Sequence, residues 1–382
     1  MSETKKSLYA EDGVDIREEA DFSKYAASIC RGSYQNSPFV YVNDLSEGQF
    51  RGPRPFTLKN LPPDYFIEAS TDGIGTKGIL VDSARSYTDA AYDIIAMTAS
   101  DITRFGGLPL VFINVLDVAS VGEANDTTRL AYKSIIDGLG KVAREENIVI
   151  LKGETAQMGV CIGSEIPDSP TRFNWSGTMI GAYQKDKVIT GKSVSDGQVI
   201  IALKERGFRS NGISSVRKAL AKRFGPEWWK NPEAAESIKK AAAPSVLYDK
   251  FIATLHGWFD KSFTPEISIH AAIHLSGGAI REKLAHDILF PRNFGANIPD
   301  LWEPPSIMRE CALWRGMSDE EFYETWNGGQ GMLIVVDKKD VERCLMRASE
   351  FSIEARVAGT VVRERKVRIT SKLSVGKEVI YS

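Results

Sequence analysis

The residues best suited to phosphate chemistry in this chain form the turn Asp72-Gly-Ile-Gly-Thr-Lys77. It follows an apolar segment, Phe66–Ser70, whose composition predicts a strand. Glycine lets a backbone approach a bulky anion, and lysine neutralises phosphate charge. An aspartate can face a polyphosphate only when a cation such as Mg²⁺ lies between them. The turn therefore predicts a nucleotide bound through a metal ion.

The same turn also matches a dinucleotide-binding fingerprint, which is the main alternative. Gly73, Gly75 and Gly78 have the G-x-G-x-x-G spacing, and Asp93 follows where a ribose-binding acid would stand. Two expectations argue against it. We expect residues 79–81 to continue the apolar run instead of opening a helix, and we place Asp93 inside a helix instead of at the end of a second strand.

The overall composition limits the classes of partner. The 382 residues carry a formal net charge of −2 and are 43% hydrophobic, which favours two domains with buried cores. We place them at residues 1–190 and 191–382. A nearly neutral chain offers no field to gather nucleic acid or an anionic membrane. Without a signal peptide or an apolar stretch of about 18 residues, a cytosolic protein is expected. The scattered cysteines predict neither disulfides nor a zinc site.

Two further acids occupy positions where a ligand could bind. Asp101 lies on the apolar stripe of a helix predicted over 87–105, and a carboxylate there needs a partner such as a metal ion. Glu154 follows a strand predicted over 148–151, at the kind of strand end where α/β sheets bind ligands. The simpler interpretations also stand: Asp101 bonded to backbone amides, and Glu154 capping the next helix.

Three other segments have a simple and a functional interpretation. Asp15 lies in an acidic turn that is more simply a solvated loop. The segment 36–63 is rich in Pro, Asn and Gly and predicts a long mobile loop, which could act as a lid. The turn 274–278 (His-Leu-Ser-Gly-Gly) opens a predicted helix whose first amides suit a phosphate. His274 is equally well explained as a hydrogen-bonded core histidine.

The remaining elements follow from periodicity. Helices are predicted over 126–145, 212–225, 233–257 and 339–350, and a capping box at 318–321 predicts a short helix. Strands are predicted over 108–116, 175–183, 198–203, 333–336, 358–362 and 367–370.

Taken in order, these turns resemble the aminoimidazole ribonucleotide synthetase (phosphoribosylformylglycinamidine cyclo-ligase) family. The resemblance extends from about residue 9 to 335. Its pieces are Gly13-Val14-Asp15, the block 71–77, Ser100-Asp101 with Gly106-Gly107, Gly153–Ala156, Ser210-Asn211-Gly212, His274–Gly278, and Asn327-x-Gly329-x-Gly331-Met332.

The resemblance implies a two-domain α+β fold. The N-terminal sheet would pair with its twin across a homodimer into a barrel, the C-terminal domain would form an α/β layer, and the active site would lie at the dimer interface. The implied activity is ATP- and Mg²⁺-dependent closure of the imidazole ring of formylglycinamidine ribonucleotide, which releases ADP and phosphate.

The roles implied for individual residues fall into three groups. Asp72, Asp101 and Glu154 would organise Mg²⁺ and phosphate, and Lys77 and His274 would serve the chemistry. The implied nucleotide-binding residues are Asp15, Gly73, Gly75, Thr76, Gly153, Glu154 and Thr155. The implied substrate-binding residues are Ser210, Asn211, Ser276, Gly277 and Gly278.

Several positions depart from the family pattern: Lys152 replaces a Gly, Gln157 a Glu, Asn174 an Asp and Arg209 a His. These departures keep two alternatives open. One is a paralogue that phosphorylates a different small molecule, and the other is a nucleotide-binding subunit without turnover.

Overall fold

The computed structural model describes residues 16–169 and 171–382. Asp15 lies outside the described residues. The chain divides into two compact units. Unit 1 comprises, among the described residues, 16–61, Ala69–Thr98 and Leu110–Ile180. Unit 2 comprises Pro62–Glu68, Ala99–Pro109 and Gly181–Ser382, so two short stretches from the first third of the chain belong to it.

A four-stranded sheet of order β3-β6-β4-β5 carries most of unit 1. Its strands are β3 (Tyr65–Gly73), β4 (Leu108–Val118), β5 (Val149–Gln157) and β6 (Phe173–Gln184). Strands β4 and β5 are parallel and pair from Val111–Val149 to Val118–Gln157, with a shift of register between Phe112 and Ile113. The first helices are α1 (Ile16–Gly32), α2 (Lys77–Ala84), α3 (Ala90–Thr103) and α4 (Thr127–Glu145).

Helix α4 shows how the sequence sets these elements. Asp126 caps its start by accepting the Thr128 N–H at 2.8 Å, which satisfies one of the first unpaired amides. Ile135, Leu139 and Val142 recur at helical spacing and are buried, so this stripe faces the core.

The segment 36–63 is not the featureless loop that its composition predicted. It contains β1 (Val40–Val42) and β2 (Phe56–Leu58), which pair antiparallel. Prolines and glycines between the strands hid two short apolar triplets too brief to show an alternating pattern.

Unit 2 is built on a seven-stranded sheet of order β13-β12-β9-β11-β7-β10-β8. Strands β7 and β10 are central and continuously apolar, as expected where both faces are covered. The strands are β7 (Val199–Lys204), β8 (Ile269–His274), β9 (Gly295–Ile298), β10 (Gln330–Val336), β11 (Ala355–Val362), β12 (Val367–Thr370) and β13 (Glu378–Tyr381).

The helices of unit 2 surround this sheet. They are α5 (Ile213–Phe224), α6 (Ala235–Ala241), α7 (Asp249–Leu255), α8 (Ser306–Arg315), α9 (Asp319–Thr325) and α10 (Val341–Glu350). A π-helix covers Ile280–Leu289. Short 3₁₀ turns across the chain are Tyr87–Asp89, Lys185–Lys187, Trp228–Lys230, Pro232–Ala234, Phe290–Arg292 and Lys338–Asp340.

Two helix predictions had opposite outcomes. The long helical region predicted over 233–257 is interrupted, because the chain leaves helical geometry between α6 and α7, where Pro244 cannot supply a helical amide. The capping box is confirmed: Ser318 and Glu321 bond each other's backbone amides at the start of α9. No helix in the described part of the chain has the length and apolar character to cross a bilayer.

Candidate active site

The turn after β3 presents a carboxylate and small residues at the surface of unit 1. Asp72 is half-buried and its Oδ1 accepts the Gly73 N–H at 2.7 Å. Gly75 and Thr76 are exposed. Gly75 has a φ of +53°, and a Cβ there would meet nothing within 4 Å, so backbone conformation favours glycine at this position.

Lys77 does not share the exposure of this turn. Its side chain is fully buried, and its Nζ lies 2.6 Å from Oδ1 of the buried Asp93. Each charge of such a pair is kept in the interior by the other. This placement does not support the predicted contact between Lys77 and phosphate, and it gives the lysine a structural role at the start of α2.

The Lys77–Asp93 ion pair argues against the dinucleotide-binding alternative. The sequence-based objection was wrong in one respect, because α2 does open directly at Lys77. Asp93 lies in α3, as predicted, and its carboxylate is buried against Lys77. An acid in this position cannot meet a ribose hydroxyl, so the fingerprint does not indicate a dinucleotide.

Glu154 lies within a strand, not beyond one as predicted. Strand β5 continues to Gln157, and Glu154 is opposite Val115 of β4. Strands β3 and β5 are the two edges of the sheet, with two strands between them. At about 4.8 Å per strand, the backbones at Asp72 and Glu154 are about 14 Å apart. One chain therefore does not bring these two carboxylates to the same ion.

A cavity of about 290 Å³ in unit 1 adjoins the Glu154 edge. Lys152, Gly153, Glu154 and Thr155 line it, so three predicted nucleotide-binding residues share one depression. Helix α1 and the segment after β1 form the opposite wall with Ala26, Ala27, Arg31, Tyr34, Phe50 and Arg54. Apolar walls with a few charged groups are typical of small-molecule sites.

The departures Lys152 and Gln157 lie at or near this edge. Lys152 adds a cation to the cavity lining. Gln157 donates to Oε2 of Glu19 at 3.0 Å and accepts the Val121 N–H at 3.0 Å. A glutamate at 157 would place two carboxylates together, so the amide suits its neighbour.

In unit 2, Asp101 and His274 lie side by side. Nδ1 of His274 is 3.8 Å from Oδ1 of Asp101, which is too long for a direct hydrogen bond but close enough for electrostatic attraction. The His274 ring lowers the pKa of Asp101, against the opposing effect of burial. Burial lowers the pKa of His274 to about 3, although Asp101 opposes that shift. At neutral pH the pair is a carboxylate beside a neutral imidazole.

Four polar side-chain atoms of residues predicted to bind substrate or serve the chemistry are buried without partners among the described residues. Both ring nitrogens of His274, the Ser210 Oγ and the Asn211 Oδ1 have no hydrogen-bond partner among the described residues. Native proteins rarely leave such atoms unsatisfied. This arrangement fits a polar ligand that supplies the missing bonds.

The glycines predicted to bind substrate phosphate lie between β8 and the π-helix. A Cβ on Gly277 would lie 3.0 Å from the Thr325 carbonyl oxygen, and Gly278 has a φ of +70°, so close approach and backbone conformation both favour glycine. The Ser276 hydroxyl accepts a hydrogen bond from Lys283 Nζ at 3.1 Å.

Arg209, another departure, is buried behind the Asp101 helix. Its Nη1 lies 3.0 Å from Oε2 of the buried Glu205, and its Nη2 donates to Ser100 Oγ at 3.4 Å. The guanidinium therefore ties the loop before α5 to the residue preceding Asp101.

The structure does not preform a metal centre. No three histidine, cysteine, aspartate or glutamate side chains of the described residues come together as metal ligands. The predicted metal trio of Asp72, Asp101 and Glu154 does not form such a group. Mg²⁺ commonly takes one or two carboxylates plus substrate phosphates, so single carboxylates such as Asp72 and Asp101 remain suitable donors.

Sequence reasoning missed several polar residues of these regions. Arg31 and Arg54 line the unit 1 cavity from segments with no recognisable motif. Asp249 begins α7, and burial raises the pKa of its carboxyl to about 6. Lys283 lies seven residues after Ser276, and the helical prediction there could have indicated that the two side chains share a face.

Models of two related domain families match the chain. The model of the AIR synthase related protein N-terminal domain matches residues 57–182, and that of the C-terminal domain matches residues 195–372. The fold and the order of its domains define an AIR synthase related protein.

Curated relatives give the narrower assignment. The phosphoribosylformylglycinamidine cyclo-ligase of Methanobrevibacter smithii is 30% identical over 377 residues, which cover 98% of this chain and 99% of the relative. That of Oceanobacillus iheyensis is 28% identical and covers 95% of this chain and 99% of the relative. This chain belongs to the phosphoribosylformylglycinamidine cyclo-ligase family, as the motif order predicted.

Solved structures support the fold alone. Thiamine-monophosphate kinase from Stenotrophomonas maltophilia has a TM-score of 0.56 at 12% identity and covers 92% of this chain and 97% of that one. Hydrogenase maturation protein HypE from E. coli has a TM-score of 0.55 at 15% identity, with 94% and 96% covered. HypE in complex with ATP has a TM-score of 0.52 at 16% identity, with 84% and 86% covered. The predicted two-domain α+β class is confirmed.

Proposed function

We propose that this protein closes the imidazole ring of formylglycinamidine ribonucleotide, using ATP and releasing ADP and phosphate. Similarity to named cyclo-ligases over nearly the whole chain supports the reaction. The geometric observation that carries it is a cluster in unit 2, where Asp101 lies beside the buried His274 ring. Both nitrogens of that ring lack hydrogen-bond partners among the described residues. Such a cluster suits a polar substrate more than a structural core.

The chemistry needs a poor leaving group to be made a good one. An amide oxygen leaves readily only after it has received the γ-phosphoryl group of ATP, and the neighbouring amidine nitrogen can then displace phosphate and close the ring. The protein contributes positioning and charge stabilisation.

We assign the nucleotide to the unit 1 cavity. Its apolar wall on α1 suits a base, and the lining cations Arg31 and Lys152 suit negative charge. Gly153 lets the ligand approach the β5 backbone. ATP binding measured by calorimetry should be lost when Ala27→Phe fills the cavity. The control Ser28→Phe alters an exposed neighbour on α1 and should leave ATP binding unchanged.

In unit 1, Mg²⁺ would offset phosphate charge, with Asp72 as the donor of a single carboxylate. Removing it with EDTA should stop ADP release, and Mg²⁺ should restore it. Full activity in EDTA would show that the carboxylate serves another purpose.

His274 orients the substrate in this account. With a pKa of about 3, the imidazole is a weak base at neutral pH, so proton removal is a poor task for it. Asp101 favours the tautomer with its proton on Nδ1, which leaves Nε2 as a hydrogen-bond acceptor for a substrate N–H.

A homodimer completes this proposal. Strand β3 is a sheet edge with exposed apolar side chains, including Phe66 at 51% and Ile67 at 48%, and such edges are normally covered. Since Asp72 and Glu154 lie on opposite edges of one sheet, an edge from a second copy could bring them together. Light scattering should give the mass of a dimer, and Ile67→Glu should yield monomers. The cytosolic location stays a prediction.

The experiment that tests the proposed function supplies ATP, Mg²⁺ and formylglycinamidine ribonucleotide and follows ADP and the aminoimidazole product. The proposal expects equal amounts of both, with little ADP when the ribonucleotide is omitted. ADP release that does not depend on the ribonucleotide, or no release at all, would overturn it.

A further inference from the structure

A second cavity, of about 190 Å³, lies in unit 2 behind the predicted phosphate loop. Strand β8, the π-helix and the segment 189–191 enclose it together with Arg104 and Phe105. None of the residues predicted to bind nucleotide or substrate lines it.

Two cations face this cavity. The Arg104 guanidinium stacks on the Phe105 ring, 4.3 Å from its centroid, and its Nε is buried without a hydrogen-bond partner among the described residues. Lys283 donates to Ser276 Oγ at 3.1 Å. Burial is the main cause that lowers the pKa of Lys283, and the positive charge of Arg104 lowers it further. Asp101 and Asp287 raise the same pKa, so these two acids offset part of the repulsion between the cations.

The charge count defines the ligand. Asp287 is the acid among the lining residues, and Asp101, which does not line the cavity, also attracts Arg104 and Lys283. The two cations are therefore largely balanced, and little positive charge is left for a ligand. A monoanion matches that balance better than a phosphate dianion.

The walls define the rest of the ligand. Phe105, Ile189, Ile273 and Ile288 supply apolar surface. Strand β8 is the last strand of its sheet, so its outer backbone groups can bond a ligand. Apolar walls with a charged end suit a compact molecule with a single acidic group.

We propose that this cavity, the Arg104–Lys283 pocket, binds a small organic monocarboxylate whose carboxylate lies between the two cations and whose apolar body contacts the isoleucines. The guanidinium offers a planar pair of donors to the carboxylate, and the ammonium adds a point charge. The proposal does not depend on the ring-closing reaction.

Benzoate is the probe, titrated into the full-length protein by calorimetry without ATP or ribonucleotide. We expect saturable binding that weakens about tenfold or more in Arg104→Met and in Lys283→Met, since each loses a charge-assisted hydrogen bond. The matched control is Arg223→Met, because Arg223 stacks on the following Phe224 at 5.1 Å but lies outside the pocket. It should bind like the wild type.

Thr190→Trp gives an independent check, since it fills the pocket from its exposed rim and keeps both charges. It should abolish benzoate binding while the melting temperature holds. Equal binding to all variants, or no binding to the wild type, would overturn the proposal. Displacement of benzoate by formylglycinamidine ribonucleotide would also overturn it, because the pocket would then belong to the substrate phosphate.

Discussion

The two units present their functional side chains in opposite ways. In unit 1, Lys152, Gly153 and Glu154 are exposed along the edge strand β5 and line an open cavity. In unit 2, His274 is buried, and the side-chain oxygens of Ser210 and Asn211 are buried without hydrogen-bond partners among the described residues. Exposed charges suit a highly charged nucleotide, whereas buried polar atoms suit a ligand that must be oriented. Substitutions that remove a charge should therefore lower activity in unit 1. In unit 2 they should change stability or its dependence on pH.

Lys77 is the exception in unit 1, and its loss should have the largest effect. Lys77→Met leaves the buried Asp93 carboxylate without its 2.6 Å partner, and the free energy of unfolding should fall by about 3–5 kcal/mol. Urea titration measures this change. The double variant Lys77→Met/Asp93→Leu removes both charges and should recover much of the loss. An unchanged stability in Lys77→Met would show that the lysine is not structural.

Asp72 and Glu154 lie on opposite edges of the sheet, and removing either carboxylate should lower activity without lowering stability. Asp72→Asn and Glu154→Gln should each lower kcat/KM by about 100-fold, or about 2.7 kcal/mol, with melting temperatures near the wild type. If the two edges meet only between chains, mixed dimers of the two variants each regain one intact site. A random equal mixture should then show about a quarter of wild-type activity. A mixture as inactive as its parents would place both carboxylates in one chain's own site.

His274 should dominate the acid response of unit 2. Its folded pKa of about 3 lies below the ordinary value of 6.5, so the unfolded chain binds the proton more readily. Its stabilising contribution is present above pH 6.5 and is lost as the pH falls toward 3. Both proteins should become less stable between pH 7 and pH 4. The free energy of unfolding should fall by about 2–3 kcal/mol more in the wild type than in His274→Gln.

Comparison with a variant is needed because other buried groups titrate in the same range. Burial lowers the pKa of His256 to about 4, which adds to the loss of stability at acid pH. Asp249, with a pKa of about 6, changes stability in the opposite direction. Both are present in wild type and variant alike, so the difference isolates His274. Identical pH profiles would mean that His274 is already protonated or exposed in the folded protein.

Gly153→Ala should have the smallest effect. A Cβ there would lie 3.1 Å from the Asn114 side-chain nitrogen, so the amide must move by only a few tenths of an ångström. Stability should change by less than about 1 kcal/mol, while calorimetry should show weaker ATP binding. A collapse of the fold would mean that this glycine serves packing instead of ligand approach.

The sequence motifs identified the loops that carry the candidate site residues. The pairing of the strands decides which of those side chains can lie close together. Ser276-Gly277-Gly278 and the Asp101 helix were predictable because turn composition and helical periodicity are local properties. Glu154 was placed beyond its strand because the glycine before it imitates a strand end, and only pairing with β4 shows that β5 continues. The partner of Lys77 could not be foreseen, since a buried ion pair depends on how α2 and α3 pack.

The most direct test of the central claim follows one oxygen atom. The substrate is formylglycinamidine ribonucleotide that carries ¹⁸O in its formamide group, and the released phosphate is analysed by mass spectrometry. If that oxygen is phosphorylated before the ring closes, the phosphate should carry the label in proportion to the aminoimidazole product. Unlabelled phosphate formed together with the product would contradict the account, because the oxygen would then leave by another route.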